Sequence, residues 1–434
     1  MRFIYKNSKV PEKILKKYSI KISVYFEQLR EVMDRNSYDY LESSINCPFD
    51  MHTLTKVINL AEKKNNAKLK YIIVIGIGGS NLGTKAIYDA IFGHFDILEE
   101  TRKPKMIFLD TNNPVFIQKL GKLIENTKDK DNILINAISK SGGTTETIAN
   151  LEIISRIFLK RFPKALDRFV ITTDYQSELW LEAQKKGIDT LAIPQKVGGR
   201  FSVFSAVGLF PLALLGIDTK QMLTGAKLMR SRCTHNDTAK NPALQSAIIL
   251  YEHYKKGIEI NDTFVFNQEL ESLGKWYRQL LAESIGKEKN NHKKIINAGI
   301  LPIVSVGSTD LHSVGQLYLG GPKDKTTTFV ELKKNWTDVA IPKKRIFPTL
   351  AENITGKSVV EIMNAIMNGT KIAYKKRGLP FCEVILDEIS PKSFGEFMQF
   401  KMIEVMFLAK LMDINAFNQP NVENYKIETK KLLK

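Results

Sequence analysis

Two glycine-and-hydroxyl loops restrict the chain more than any other feature: Gly76-Ile-Gly-Gly-Ser-Asn-Leu-Gly83 and Ser139-Lys-Ser-Gly-Gly-Thr-Thr-Glu-Thr147. Each directly follows a short apolar run, Tyr71–Ile75 or Ile133–Ile138, and leads into helix-compatible sequence, which reads as a buried parallel strand, a glycine turn and a helix start. Such a turn is an anion site: N–H groups at a helix N-terminus point outward unpaired, glycines let a phosphate approach them, and hydroxyls add donors. A single loop of this kind is also compatible with a tight turn that binds nothing. Two of them, the second with Ser139, Ser141, Thr144, Thr145 and Thr147, point to a phosphorylated ligand. Neither is a Walker A loop, because Lys140 lacks the required glycine spacing, and Asn81 stands where a dinucleotide fingerprint needs its third glycine.

From about Lys70, apolar runs at Tyr71–Ile75, Met106–Leu109, Ile133–Ile138, Phe169–Thr173 and Thr190–Ile193 alternate with longer amphipathic segments. This is the pattern of a parallel sheet covered by helices on both faces. A second set follows at Thr263–Phe266, Ile303–Val306, Thr327–Leu332 and Phe381–Leu386. The expected organisation is a helical arm over residues 1–56 without a clear strand pattern, a first α/β domain over 57–196, a second over 197–390, and C-terminal helices over 391–434. Ser393 and Glu396 have capping-box spacing ahead of the last long apolar segment.

The 434 residues carry a formal charge of +18, but lysines are spread along the whole chain. We read a solvated basic surface rather than a nucleic-acid face, and a field that attracts an anionic small substrate. Cys47, Cys233 and Cys382 lie far apart, in neither disulfide nor metal-ligand spacing, which suggests a reducing cytoplasm. The first residues lack the apolar core of a signal peptide. The longest apolar stretch, Val203–Ile217, is interrupted and too short to span a bilayer, so no membrane role is expected.

Four further clusters carry chemistry. In Val197-Gly-Gly-Arg-Phe-Ser-Val-Phe-Ser-Ala-Val-Gly208, Arg200 is the single charge in an apolar run, and must reach solvent or meet an anion. Leu273, Trp276, Tyr277, Leu280 and Leu281 keep helical spacing and leave Glu283 just past the apolar stripe, near a helix end signalled by Gly286. The negative pole of that helix disfavours a charged carboxylate, which suits a group that accepts a proton near neutral pH, although a glutamate in a last helical turn is more often simply solvated. His312, in Gly307-Ser-Thr-Asp-Leu-His-Ser-Val-Gly-Gln316, can move a proton either way or serve structurally. In Phe417-Asn-Gln-Pro-Asn-Val-Glu-Asn-Tyr-Lys426, Pro420 suits a helix start that puts Glu423 and Lys426 on one face, as a surface ion pair or to hold the lysine over a cleft. The other histidines, His52, His94, His235, His253 and His292, show no metal-ligand spacing, so no metal is expected.

Taken in order from Tyr71 to Lys426, the segments GIGGSNLG, SKSGGTTET, VGGRFSVFSAVGL, AESIGK, STDLHSVGQ and FNQPNVENYK resemble the glucose-6-phosphate isomerase (phosphoglucose isomerase) family in its shorter bacterial form. The resemblance implies two flavodoxin-like sugar-isomerase (SIS) domains with parallel sheets, closed by N- and C-terminal helices, in a homodimer. It also implies aldose-ketose isomerisation of glucose 6-phosphate and fructose 6-phosphate without a cofactor. Carried over by position, Ser139, Ser141 and Thr144, with Lys140 nearby, form a phosphate cradle, and Gly79 and Ser80 contact the sugar. Glu283 shuttles the proton between C2 and C1, and His312, from the partner subunit and assisted by Lys426, opens the ring. Arg200 stabilises enediolate charge, and Gln419 is a further substrate contact. The chain departs from the longer family pattern at Gly142-Gly143 and at Pro420-Asn421.

The residues agree with that chemistry. Removing a proton beside a carbonyl needs a base and a fixed positive partner for the oxygen that becomes negative, and Glu283 and Arg200 are of the right types. A fixed guanidinium can take the place of the metal that some aldose-ketose isomerases use. Two other readings are a bifunctional isomerase that also takes mannose 6-phosphate and a non-catalytic sugar-phosphate sensor acting on nucleic acid. The sensor lacks a helix-turn-helix or a basic-aromatic stripe.

Overall fold

The computed structural model describes residues 1–93, 95–335 and 337–433. His94 and Lys434 therefore lie outside the described residues. The chain folds into two compact units, Glu27–Arg230 and a second made of Met1–Phe26 with Ser231–Lys434. These divisions differ from the boundaries expected from sequence. Residues 197–230 belong to the first unit because the apolar helix Ala206–Leu214 is buried against the helices Met51–Lys64 and Leu82–Phe92. Residues 1–26, expected as a helical arm, open with strand β1 (Arg2–Ile4) and cluster with the second unit.

In the first unit, β2 (Tyr71–Ile75), β3 (Lys105–Leu109), β4 (Ile133–Ser139), β5 (Phe169–Asp174) and β6 (Asp189–Ile193) form a wholly parallel sheet in the order β3-β2-β4-β5-β6. Counted within the unit, the order is 2-1-3-4-5, the flavodoxin-like winding, which reverses direction between β2 and β4 and opens a crevice at their carboxyl ends. β4 is buried along its whole length and β2 at every residue but Tyr71, which is why neither alternates. Ile73, Ile75, Ile135, Phe158, Phe169 and Ile171 form the centre of this core, each contributing about 1.5–3 kcal/mol by burial.

The second unit contains β7 (Ile260–Val265), the antiparallel hairpin β8 (Lys287–Lys289) and β9 (Ile295–Ala298), β10 (Leu301–Val306), β11 (Lys325–Leu332) and β12 (Phe381–Leu386). The main sheet runs β1-β12-β11-β7-β10, parallel except at its β1 edge. Counted from β7 it repeats the 2-1-3-4 winding, and β1 closes an edge that would otherwise stand open. Both sheets thus match the α/β class expected from the apolar runs.

The helix Glu271–Ile285 buries Leu273, Trp276, Tyr277, Leu280 and Leu281, the stripe read from sequence. It runs back along β10. A Cβ on Gly274 would lie 2.7 Å from the Val304 side chain, and at the far end a Cβ on Gly299, just ahead of β10, would lie 3.7 Å from Gly286. The helix Pro391–Leu411 packs on it and holds it by a buried polar cluster: the Tyr277 hydroxyl donates to Glu404 Oε1 at 2.5 Å and Lys401 Nζ to Glu404 Oε2 at 2.8 Å. The long helix is not capped by Ser393. It starts at Pro391, and Ser390 Oγ accepts from the Ser393 N–H, because proline is pre-set for the first helical position. Glu396 is consequently inside the helix, against the Met1 amino group. None of the helices among the described residues is long and apolar enough to cross a membrane.

Candidate active site

Each glycine loop leaves the carboxyl end of a strand at the crevice of the first sheet, since β2 and β4 are neighbours. Their helices differ from others of the same unit in one respect. The helices Pro114–Glu125 and Glu178–Lys185 are capped by the side chains of Asn113 and Ser177. Helices Leu82–Phe92 and Thr145–Arg161, which follow the loops, have no side-chain cap from Asn81 or Thr144. Their first-turn N–H groups keep the positive pole open to an anion. In the second loop, Gly142 N–H donates to the Ser139 carbonyl at 3.1 Å to close the turn, and Gly142 has φ +71, a conformation that favours glycine. Ser139 is buried and donates to Thr144 Oγ1 at 3.1 Å, while Ser141 is exposed and accepts from Gly143 N–H at 3.3 Å.

The first loop also meets the Arg200 turn. A Cβ on Gly79 would lie 2.2 Å from the Gly199 carbonyl carbon and 2.6 Å from Arg200 N, so the two backbones touch where only glycine fits. Ser202 Oγ ties the turn by donating to the Gly199 carbonyl at 2.7 Å. Arg200 is 4% exposed, which removes the reading of a surface arginine. Lys140 does not point its ammonium freely at the loop: Nζ donates at 2.9 Å to each Asp174 carboxylate oxygen and at 2.8 Å to the Gln195 carbonyl. Burial raises the Asp174 carboxyl above its ordinary range despite this lysine.

In the second unit, Glu283 is half-buried near the end of its helix, and Gln279, one turn earlier, donates to Glu283 Oε1 at 2.9 Å. Gln279 Oε1 is buried without a partner among the described residues. Lys287 Nζ donates to the Glu283 backbone carbonyl at 2.5 Å and to the Asn418 carbonyl at 2.8 Å, which brings the Gln419 segment to the end of the helix Glu271–Ile285. Lys426 lies on the helix Val422–Leu432, whose N-cap is Asn421 rather than a start at Pro420, and pairs with Glu423 at 2.7 Å on the surface. His312 is exposed on the turn after β10. Asp310 fixes that turn by accepting from Val306 N–H at 2.7 Å and Ser313 Oγ at 2.9 Å. Glu283 and His312 are therefore not brought together within the unit: the helix Glu271–Ile285 ends by the amino end of β10, and His312 follows its carboxyl end, roughly 20 Å away for six residues of strand.

The family model described as phosphoglucose isomerase matches residues 31–434. The chain belongs to the phosphoglucose isomerase family. It is 36% identical over 373 residues to a glucose-6-phosphate isomerase of Carboxydothermus hydrogenoformans, covering 84% of this chain and 79% of that one. To the glucose-6-phosphate isomerase of Methanocaldococcus jannaschii it is 35% identical over 368 residues, with 85% of each chain covered. The fold matches the crystal structure of a glucose-6-phosphate isomerase from Chlamydia trachomatis with a TM-score of 0.80 at 19% identity, over 99% of this chain and 88% of that one.

Three residues around the site of this phosphoglucose isomerase family member were not singled out by sequence reasoning. Gln279 has a legible signal, its place one turn before Glu283 on the same face. Lys287 closes the AESIGK segment and Asp310 lies within STDLHSVGQ, but neither was given a role of its own there. Among the described residues no group of three or more His, Cys, Asp or Glu side chains is arranged to hold a metal ion.

Proposed function

We propose that this family member interconverts glucose 6-phosphate and fructose 6-phosphate through an open-chain cis-enediolate. The observation that carries the reading is the pair of uncapped helix N-termini flanking one crevice, a place built for a phosphate. The Ser139, Ser141 and Thr144 hydroxyls with the loop N–H groups take the phosphate; Lys140 contributes positive charge from its place beside Asp174. Gly79, Ser80 and Gln419 contact the sugar.

His312, assisted by Lys426, transfers the proton that opens the pyranose ring. Glu283 then removes the C2 proton of the aldose and electron density moves to the carbonyl oxygen O1; a proton passes from the C2 hydroxyl to O1, and the same carboxyl returns its proton to C1 as the C2–O bond becomes the ketose carbonyl. Arg200 stabilises the oxygen that becomes negative. Gln279 orients the carboxylate through its bond to Oε1. The separation of Glu283 from His312 along β10 supports a homodimer in which His312 serves the other copy, and three buried thiols suit a cytoplasmic location.

A coupled assay tests the reading: fructose 6-phosphate is supplied with a chelator present and glucose 6-phosphate formation is followed. Turnover is expected. A pure, folded protein that gives none refutes it.

A further inference from the structure

The end of the base helix is held by a lysine that is 6% exposed. Gly286 N–H closes the helix on the Ala282 carbonyl at 2.8 Å, and the next carbonyl, that of Glu283, takes the Lys287 ammonium at 2.5 Å. The same ammonium bonds the Asn418 carbonyl at 2.8 Å, one residue before Gln419. A second bond reinforces this junction: Asn421 Nδ2 donates to Glu288 Oε2 at 3.0 Å. The rest of the β8–β9 hairpin is anchored independently, with Asn290 and Asn291 each donating to the Asp413 carboxylate at 3.1 Å. Burying an ammonium is unfavourable unless fixed acceptors replace its water. Here two backbone carbonyls from segments more than a hundred residues apart do so.

We propose that Lys287 is a positioning residue for the proton-transfer step, setting the Glu283 carboxylate and the Gln419 segment in one rigid register. The inference rests on the reading of Glu283 as the base. Lys287 does not touch the reacting carbons; it acts through the backbone at both ends. Without it the junction loses both bonds of the ammonium and the last helical turn and the 418–421 segment are held less tightly, and a base misplaced by about 1 Å loses on the order of 100-fold in rate. Binding through the phosphate loops does not use this junction, so its loss lowers turnover far more than affinity.

The test is Lys287→Met, with Lys287→Gln and Lys287→Arg as variants that retain donors and decide the matter if the methionine protein does not fold. Each is assayed with fructose 6-phosphate and with glucose 6-phosphate carrying deuterium at C2. Lys287→Met is expected to lower kcat about 10- to 100-fold with KM within about twofold, to raise the isotope effect on kcat, and to be partly rescued by Lys287→Arg. Unchanged kcat overturns the proposal. So does a parallel loss of kcat and melting temperature with an unchanged isotope effect, which marks a merely structural lysine. If Glu283→Gln is itself fully active, the base assignment has failed. If Glu283→Gln is inactive and the Lys287 variants are not impaired, only the positioning role has failed.

Discussion

Gly79→Ala should force the first glycine loop away from the Arg200 turn. A Cβ built there lies 2.2 Å from the Gly199 carbonyl carbon, 2.3 Å from its oxygen and 2.6 Å from Arg200 N. All three are backbone atoms, so no side chain can rotate away. Ordinary contact begins near 3.4 Å, and the backbones must part by about 1 Å, carrying Arg200 with them, a displacement that costs on the order of 100-fold in rate at a catalytic centre. The overpacking itself should lower stability by about 1–3 kcal/mol. Gly369→Ala, in the helix Val359–Arg377 away from the candidate site, is the control, because a Cβ there meets nothing within 4 Å. Steady-state kinetics and thermal melts on both proteins should show kcat/KM falling about 100-fold for Gly79→Ala and staying near wild type for Gly369→Ala. Activity within a few-fold of wild type in Gly79→Ala, with an unchanged melting temperature, would refute the packing argument.

Glu283→Gln should keep its bond with Gln279 and its affinity for sugar phosphate while losing on the order of 10²–10⁴-fold in kcat; equilibrium binding beside kinetics separates the two effects. Mixing Glu283→Gln and His312→Ala proteins under subunit exchange should regenerate activity, and none regained after exchange is verified counts against a shared site. Burial pushes the Asp262 carboxyl up to about 7, opposed by the Ser305 hydroxyl, which donates at 2.9 Å, raised by Asp310 and lowered by Lys325. Because the folded value exceeds the unfolded one, folding takes up a proton between them, so the contribution is whole at acid pH and is lost as pH rises toward 7. The urea midpoint of Asp262→Asn should therefore gain on wild type as pH is raised from about 5 to about 7.5, and a constant difference would contradict the assignment.

Much of this fold was legible because its strands are buried on both faces. β2 and β4 contain almost uninterrupted apolar side chains, and the loops after them stand out by their glycine and hydroxyl content. The short pieces were not legible. β1 has three residues and gains its place from pairing with β12, and β8 reads Lys-Glu-Lys because both its later residues face solvent. Local spacing also misled at the long C-terminal helix, where Ser393 and Glu396 fit a capping box but Pro391 and Ser390 set the start. The unit boundary escaped because the Arg200 segment continues as an apolar helix whose partners, Met51–Lys64 and Leu82–Phe92, lie far away in sequence. For the site, residue types were readable at Arg200, Glu283 and His312. The bonds that hold them, from Gln279, Lys287 and Asp310, depend on where backbone carbonyls and amides fall once the chain is packed.

The central claim is that Glu283 moves a proton between neighbouring carbons of a sugar anchored by its phosphate. A crystal structure of the Glu283→Gln protein soaked with fructose 6-phosphate tests it most directly. The account predicts the phosphate in the Ser139–Thr144 loop and the residue 283 carboxamide within about 3.5 Å of C1 or C2. A ligand phosphate bound elsewhere, or a side chain at 283 turned to solvent and remote from both carbons, would contradict it.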